Sequence, residues 1–170
     1  TNDAHGVPQG NICSISECRD GAIAVYEDGR MVCCDIMRQQ NTVWQTDFIA
    51  QQHLRKSKSL KTYADQLDNI WLYGQGTLMV YNKSANTWNT TIGDQLGLTS
   101  VGVDHSVNEM TGDSNGNIWA GTDRSGLIRI NVNTREIEAV QPRGVNPRRI
   151  DSEIMPIQSV YVDDTDLLWV

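Results

Sequence analysis

The 170-residue chain has no run approaching the roughly 20 consecutive apolar residues that a membrane-crossing helix requires. Its opening, "TNDAHGVPQG", has neither the basic nor the apolar region of a signal peptide, so the chain is expected to be a mature or excised segment, or a cytosolic protein. Positive charge is in short supply. Fourteen Lys and Arg against 21 Asp and Glu leave a net charge of −7, which repels phosphate backbones and argues against nucleic acid as a partner. The exception is "LRKSKSLK" (54–61), where Arg55, Lys56, Lys58 and Lys61 have no stacking aromatic nearer than Tyr63. It reads as a solvated connection. Helical periodicity is weak throughout; the best candidate, "DFIAQQHLRKS" (47–57), is matched evenly by an irregular connection.

Metal-ligand spacing is also lacking. Cys13, Cys18, Cys33 and Cys34 fall in the first fifth of the chain, but Cys33 and Cys34 are adjacent in the strand-like "RMVCCDI", where neighbouring side chains point to opposite faces. Buried free thiols are expected, with one disulfide from the Cys13/Cys18 segment to a strand cysteine as the alternative. His5, His53 and His105 have no motif partners, and no cofactor is expected. An apolar fraction of 39% and a charged fraction of 21% suit one soluble folded domain rather than a disordered chain.

What is present is repetition. "DQLDNIW" (65–71), "DSNGNIW" (113–119) and "DDTDLLW" (163–169) each put an acid six places before a tryptophan, at Asp65, Asp113 and Asp163 before Trp71, Trp119 and Trp169. The tryptophans are 48 and 50 residues apart, and Ile70, Ile118 and Leu168 directly precede them. A weaker copy, "CRDGAIA" (18–24), puts Ala24 in the tryptophan place. Each phrase is followed by a glycine, an apolar run and Asp or Asn: "GRMVCCD" (29–35), "GTLMVYN" (76–82) and "GLIRIN" (126–131). A last short segment follows in "TVW" (42–44), "NTW" (86–88) and "REIEAV" (135–140).

With an alternating strand before each acidic turn, every unit reads as four antiparallel strands. Such a unit recurring at 40–50 residues predicts an all-β chain of β-propeller blades. Approximate units are 6–46, 58–92, 105–141 and an incomplete 155–170, about three and a half blades. Trp71, Trp119 and Trp169 are then wedges between stacked sheets, because sheets about 10 Å apart need large side chains between them. Asp65, Asp113 and Asp163, with Gly76, Gly116, Gly121 and Gly126, are the turn chemistry of the repeat. Rings usually close with 4 to 8 blades, so a piece of a longer protein is expected, with an open array covered by another copy as the alternative.

The phrase carried by Asp113, Gly116, Ile118, Trp119, Gly121, Thr122, Gly126, Leu127, Arg129 and Asn131 resembles the two-component regulator propeller repeat. "GVPQGNICSI" (6–15) is similar to that family's approach to strand one, and Gly97-Leu98 to a degenerate second instance. The first copy departs by lacking Trp, the second by "LYGQG" in place of Gly-Thr. The resemblance implies a periplasmic sensor region of a hybrid two-component histidine kinase, responding to oligosaccharides, and a homodimer in the full-length protein with further blades beside these. It also implies that kinase activity lies outside these residues, in which no phospho-accepting helix and no glycine-rich ATP lid is seen.

The competing class is a carbohydrate-active propeller enzyme of sialidase or xyloglucanase type, and a third is an interaction scaffold. "TGDSNGNIW" (111–119) is near an Asp-box but has one residue too many between Asp113 and Gly116. A glycosidase needs two carboxylates converging across a pocket, whereas the prominent acids here recur in turns. Repeated groups are structural; catalytic ones are singular. Asp104-His105-Ser106 is consecutive, which does not make a triad. "PRGVNPRRI" (142–150) reads as a solvated connection whose Arg143, Arg148 and Arg149 suit anionic sugars.

Overall fold

A computed structural model describes residues 8–44, 60–74, 77–90, 106–140 and 156–170. Among these, the regular elements are all strands. The first sheet holds β1 (Ile12–Cys18), β2 (Gly21–Tyr26), β3 (Met31–Asp35) and β4 (Gln40–Trp44). The second holds β5 (Lys61–Ala64), β6 (Ile70–Gly74), β7 (Thr77–Asn82) and β8 (Thr87–Asn89). The third holds β9 (Val107–Gly112), β10 (Asn117–Thr122), β11 (Leu127–Asn131) and β12 (Ile137–Val140). A last pair, β13 (Tyr161–Val162) and β14 (Leu168–Trp169), begins a fourth.

Each sheet is an antiparallel meander of consecutive strands, and among the described residues the sheets do not close into a ring. This is a partial propeller: three four-stranded blades and the first hairpin of another. The helix candidate at 47–57, Gly76, Gly97-Leu98, the three histidines, Asp104 and the 142–150 segment lie outside the described residues.

Alternation decides which side chains fill the seams. In β6, all five residues are buried, because both faces of the strand meet a neighbouring blade. Ile70 and Leu72 face the first blade, where they join Ile23, Val25, Met31 and Cys33. Trp71 and Tyr73 face the third, where they join Met110, Ile118, Ala120, Ile128 and Ile130. One phase of each middle strand therefore packs forward and the other backward. Stacking blades in this way buries faces that a single sheet leaves wet.

The register corrects one sequence assignment. Trp71 pairs with Val80 and Trp119 with Arg129, each two residues before the Asn that ends its strand. In the first blade the residue paired two places before Asp35 is Ile23, opposite Cys33, not Ala24. The cause is a turn one residue shorter: Cys18 pairs directly with Gly21. Cys18 therefore takes the place of the repeated acid, and Ile23, with no exposed surface, that of the wedge.

All four thiols are free; Cys18 and Cys33 are buried, and Cys13 and Cys34 are half-buried. A bridge from β1 to β3 has to cross two strand spacings, roughly 9.6 Å, beyond the ~7 Å that a disulfide tolerates. Burial, then the neighbouring Cys18 thiol, push Cys33 up to about 12, which leaves it protonated and unreactive at neutral pH.

Candidate functional site

One carboxylate organises each long turn. Asp65 closes β5, and its Oδ1 accepts the backbone N–H groups of Leu67 and Asn69, both at 2.9 Å. Its Oδ2 accepts the Trp71 indole N–H and the Asn69 side-chain amide, again at 2.9 Å. Asp113 repeats the pattern with Asn115, Asn117 and Trp119 at 2.9, 2.9 and 3.0 Å. So does Asp163, with Thr165, Leu167 and Trp169 at 2.9, 3.0 and 2.9 Å. The six-residue spacing between acid and tryptophan is the length of chain that brings an indole on the second strand back over the turn that starts it. Burial raises the Asp113 carboxyl, but hydrogen bonds from Asn117, Trp119 and Asn115 outweigh it and hold the group below the usual range.

The fourth residue of each turn is left-handed: Asp68 at φ 63°, Gly116 at 79° and Asp166 at 62°. Asp tolerates that region better than most side chains, and at Gly116 a Cβ would sit 2.6 Å from the Asn133 amide. The second residue reaches the next blade. Arg19 gives its backbone N–H to Asp68 at 3.4 Å and its guanidinium to the Gln66 carbonyl at 3.0 Å. Gln66 donates to the carbonyl of Asp113. Ser114 donates its N–H to Asp166 at 2.9 Å and its hydroxyl to the same carboxylate. Where the fourth place holds Asp, its carboxylate receives the latch; where it holds Gly116, the longer Gln66 reaches a carbonyl instead. Lys83 reinforces the first seam by bridging Asp20 and Asp68.

At the other end of the strands the seams carry different polar links. Lys61 reaches Glu109 at 2.7 Å and the Asn108 carbonyl at 2.9 Å, and the Tyr73 hydroxyl donates to Glu109 at 3.0 Å. Burial, then Glu109, push the Tyr73 phenol far above its ordinary value. Asn108 donates to Asp123 at 2.6 Å and to the Ile157 carbonyl at 3.0 Å, and the Ile157 N–H donates to Thr122 at 2.9 Å. Gly121 allows this approach: a Cβ there would meet Ile157 Cγ2 at 2.6 Å. Gly126, at φ 67°, closes the same hairpin, where its carbonyl accepts the Thr122 hydroxyl at 2.8 Å.

Sequence reasoning missed these links, although they carry a signal. Ser16–Thr62, Arg19–Gln66, Gln66–Asp113 and Lys61–Glu109 are separated by 46, 47, 47 and 48 residues. Polar residues one repeat apart are seam partners.

Two depressions open on the acidic-turn side. One, of about 500 Å³, lies between the ends of β1 and β5 beside Ser16, Glu17, Arg19, Tyr63 and Gln66. The other, a cleft of about 450 Å³, lies at the outer part of the seam between the second and third blades. Its apolar wall includes Leu67, Trp71, Val80, Ile130, Val132 and Ile137; its polar rim includes Asp65, Asn69, Asn82, Thr87, Asn89, Asn131 and Arg135. Asp65, Asp113 and Asp163 do not converge on either space, since each is committed to its own turn. No group of three His, Cys, Asp or Glu among the described residues is placed to hold a metal ion. No helix among them is long and apolar enough to cross a membrane.

No protein-family model matches the chain. No curated protein does either. Among solved structures it is similar to the extracellular domain of the putative hybrid two component system BT4673 from B. thetaiotaomicron, at TM-score 0.62 and 13% identity over 99% of the chain. A second structure, described as the extracellular domain of the putative one component system BT4673, is similar at TM-score 0.60 and 18% identity over 98%. That of the putative hybrid two component system BT3049 from the same organism gives 0.55 and 13% over 91%. The chain spans about a fifth of each: 20%, 21% and 18%. At these identities the likeness is one of fold.

Proposed function

We propose that this chain is a ligand-sensing segment from the extracytoplasmic, periplasmic part of a hybrid two-component sensor anchored in the inner membrane. It acts by binding and carries out no catalysis; histidine kinase and phosphorelay chemistry belong to other parts of the same protein. The signal is an oligosaccharide, and the partners are further blades of the same propeller and a second copy of the full-length protein. The observation that carries this reading is that the fold matches a sensor's extracellular domain over 99% of the chain.

The repeated phrase supports it, because its acids are spent on turns and indoles rather than on a reacting centre. A bound glycan that prefers one arrangement of the blades shifts the population passed on to the rest of the protein. Titration of the full-length protein with defined oligosaccharides, read by calorimetry and by autophosphorylation in membranes, tests it. Saturable binding that changes phosphorylation is the expected result. Glycan cleavage, or phosphorylation indifferent to every oligosaccharide while a protein partner alters it, overturns it in favour of an enzyme or a scaffold.

A further inference from the structure

The two seams between complete blades are filled differently: the first has Cys18 and Ile23 on its leading side where the second has Asp65 and Trp71, and the trailing sides differ as well. In the second blade Tyr81 pairs with Trp88, and in the third the corresponding pair is Ile130 with Ile137. Tyr81 and Trp88 pack on each other at 5.2 Å and fill the seam with the first blade. Ile130 and Ile137 face the second blade and leave the 450 Å³ cleft, a volume within the range of small-molecule sites. The space corresponds to one that aromatic rings occupy a blade earlier.

The rim limits what else it takes. Asp65 and Asn69 are bonded to each other, and the Asn82 and Asn131 side chains accept backbone N–H groups of their own turns. Arg135 is different: its backbone is held at φ 62° by an N–H bond to the Asn131 carbonyl at 2.8 Å, and its guanidinium has no partner among the described residues.

We propose that this cleft binds an aromatic ring of indole size bearing an anionic group, with the ring against Ile130 and Ile137 and the anion at Arg135. The ring supplies the packing that Trp88 supplies in the preceding seam, and the Trp71 indole, which also lines the cleft, offers it an aromatic surface. The guanidinium supplies a charged anchor on the solvent side. This site is independent of the oligosaccharide reading, and either can fail alone.

The test titrates the protein with indole-3-acetate and with indole, by calorimetry and saturation-transfer NMR. A ligand of this size at ordinary efficiency binds with a Kd on the order of 1 mM or tighter. Ile137→Trp, which installs the residue of the second blade, is expected to weaken both ligands at least about tenfold by filling the space. Arg135→Gln is expected to weaken indole-3-acetate about two- to fivefold, the worth of an exposed ion pair, and to leave indole unchanged. If Ile137→Trp does not fold, the comparison of the two ligands on Arg135→Gln decides the matter alone. No saturable binding of either ligand up to about 10 mM, an affinity too weak to serve a site, overturns the proposal. So does unchanged affinity in a folded Ile137→Trp variant, or equal losses for both ligands in Arg135→Gln.

Discussion

Removing one carboxylate measures how much each blade depends on its turn. Asp65→Ala strips the partner from the Trp71 indole N–H, which is only 4% exposed, and from two backbone N–H groups. A buried donor left without an acceptor costs about 1–3 kcal/mol. Losing a side-chain cap on backbone amides costs about 1 kcal/mol more. The sum, about 3 kcal/mol, lowers Tm by roughly 6–12 °C in a protein of this size. Asp163→Ala breaks the matching indole and backbone bonds, with the Thr165 hydroxyl in place of the Asn69 amide, but Trp169 is 57% exposed, so water takes over the indole N–H. Its effect should be a small fraction of the first. Differential scanning calorimetry of the 170-residue chain and the two variants reads the contrast. Equal Tm losses would falsify the argument that burial, rather than the hydrogen bond itself, sets the cost.

Three further outcomes follow from the same geometry. Gly121→Ala drives a methyl into Ile157 and should cost about 1–3 kcal/mol, seen in urea midpoints and in faster exchange of the Ile157 amide; wild-type stability would mean that the fourth unit does not rest on β10. Lys83→Ala leaves Asp68, only 6% exposed, without its cation and should cost about 1–3 kcal/mol. Adding Asp68→Asn should recover part of that loss, and a strictly additive double variant refutes the coupling. Asp113 is held below its unfolded value near 3.9, so its contribution is complete above about pH 4 and is lost as pH falls through the depressed folded value. Asp113→Asn should be less stable at pH 7 yet lose less between about pH 4 and 2, so parallel acid-unfolding curves contradict the assignment.

The blade architecture was legible because the period was. Three Asp-to-Trp phrases at fixed spacing, each followed by a glycine turn and an apolar run, locate the second and third strands of their units. Three things were not legible. In the first blade a turn one residue shorter moved the wedge from Ala24 to Ile23, because a single deletion in a hairpin shifts every later side chain to the opposite face. The indole N–H bond to the acid was also hidden, since the two residues lie on opposite sides of a turn whose closure only coordinates reveal. The cleft was invisible for a related reason: Ile137 is unremarkable until the register sets it beside Trp88.

The seams explain why the repeat tolerates such varied sequence. The Asp65 and Asp113 turns each make two kinds of bond, inward to their own tryptophan and outward to the next blade, and the first blade's turn, with Cys18 and Ile23 in those places, has the outward kind. The outward set is met by a guanidinium at Arg19, an amide at Gln66 and a hydroxyl at Ser114, with the acceptor moving from carboxylate to carbonyl to suit. Stability in a stacked array is close to a sum of nearest-neighbour terms, so a seam changes its filling without unsettling the next. The first seam spends that freedom on Tyr81 and Trp88, which close it, and the second on Ile130 and Ile137, which leave it open. The second seam therefore sets two aliphatic positions of one blade against the Asp65 and Trp71 turn of the other, where the first sets an aromatic pair against Cys18 and Ile23.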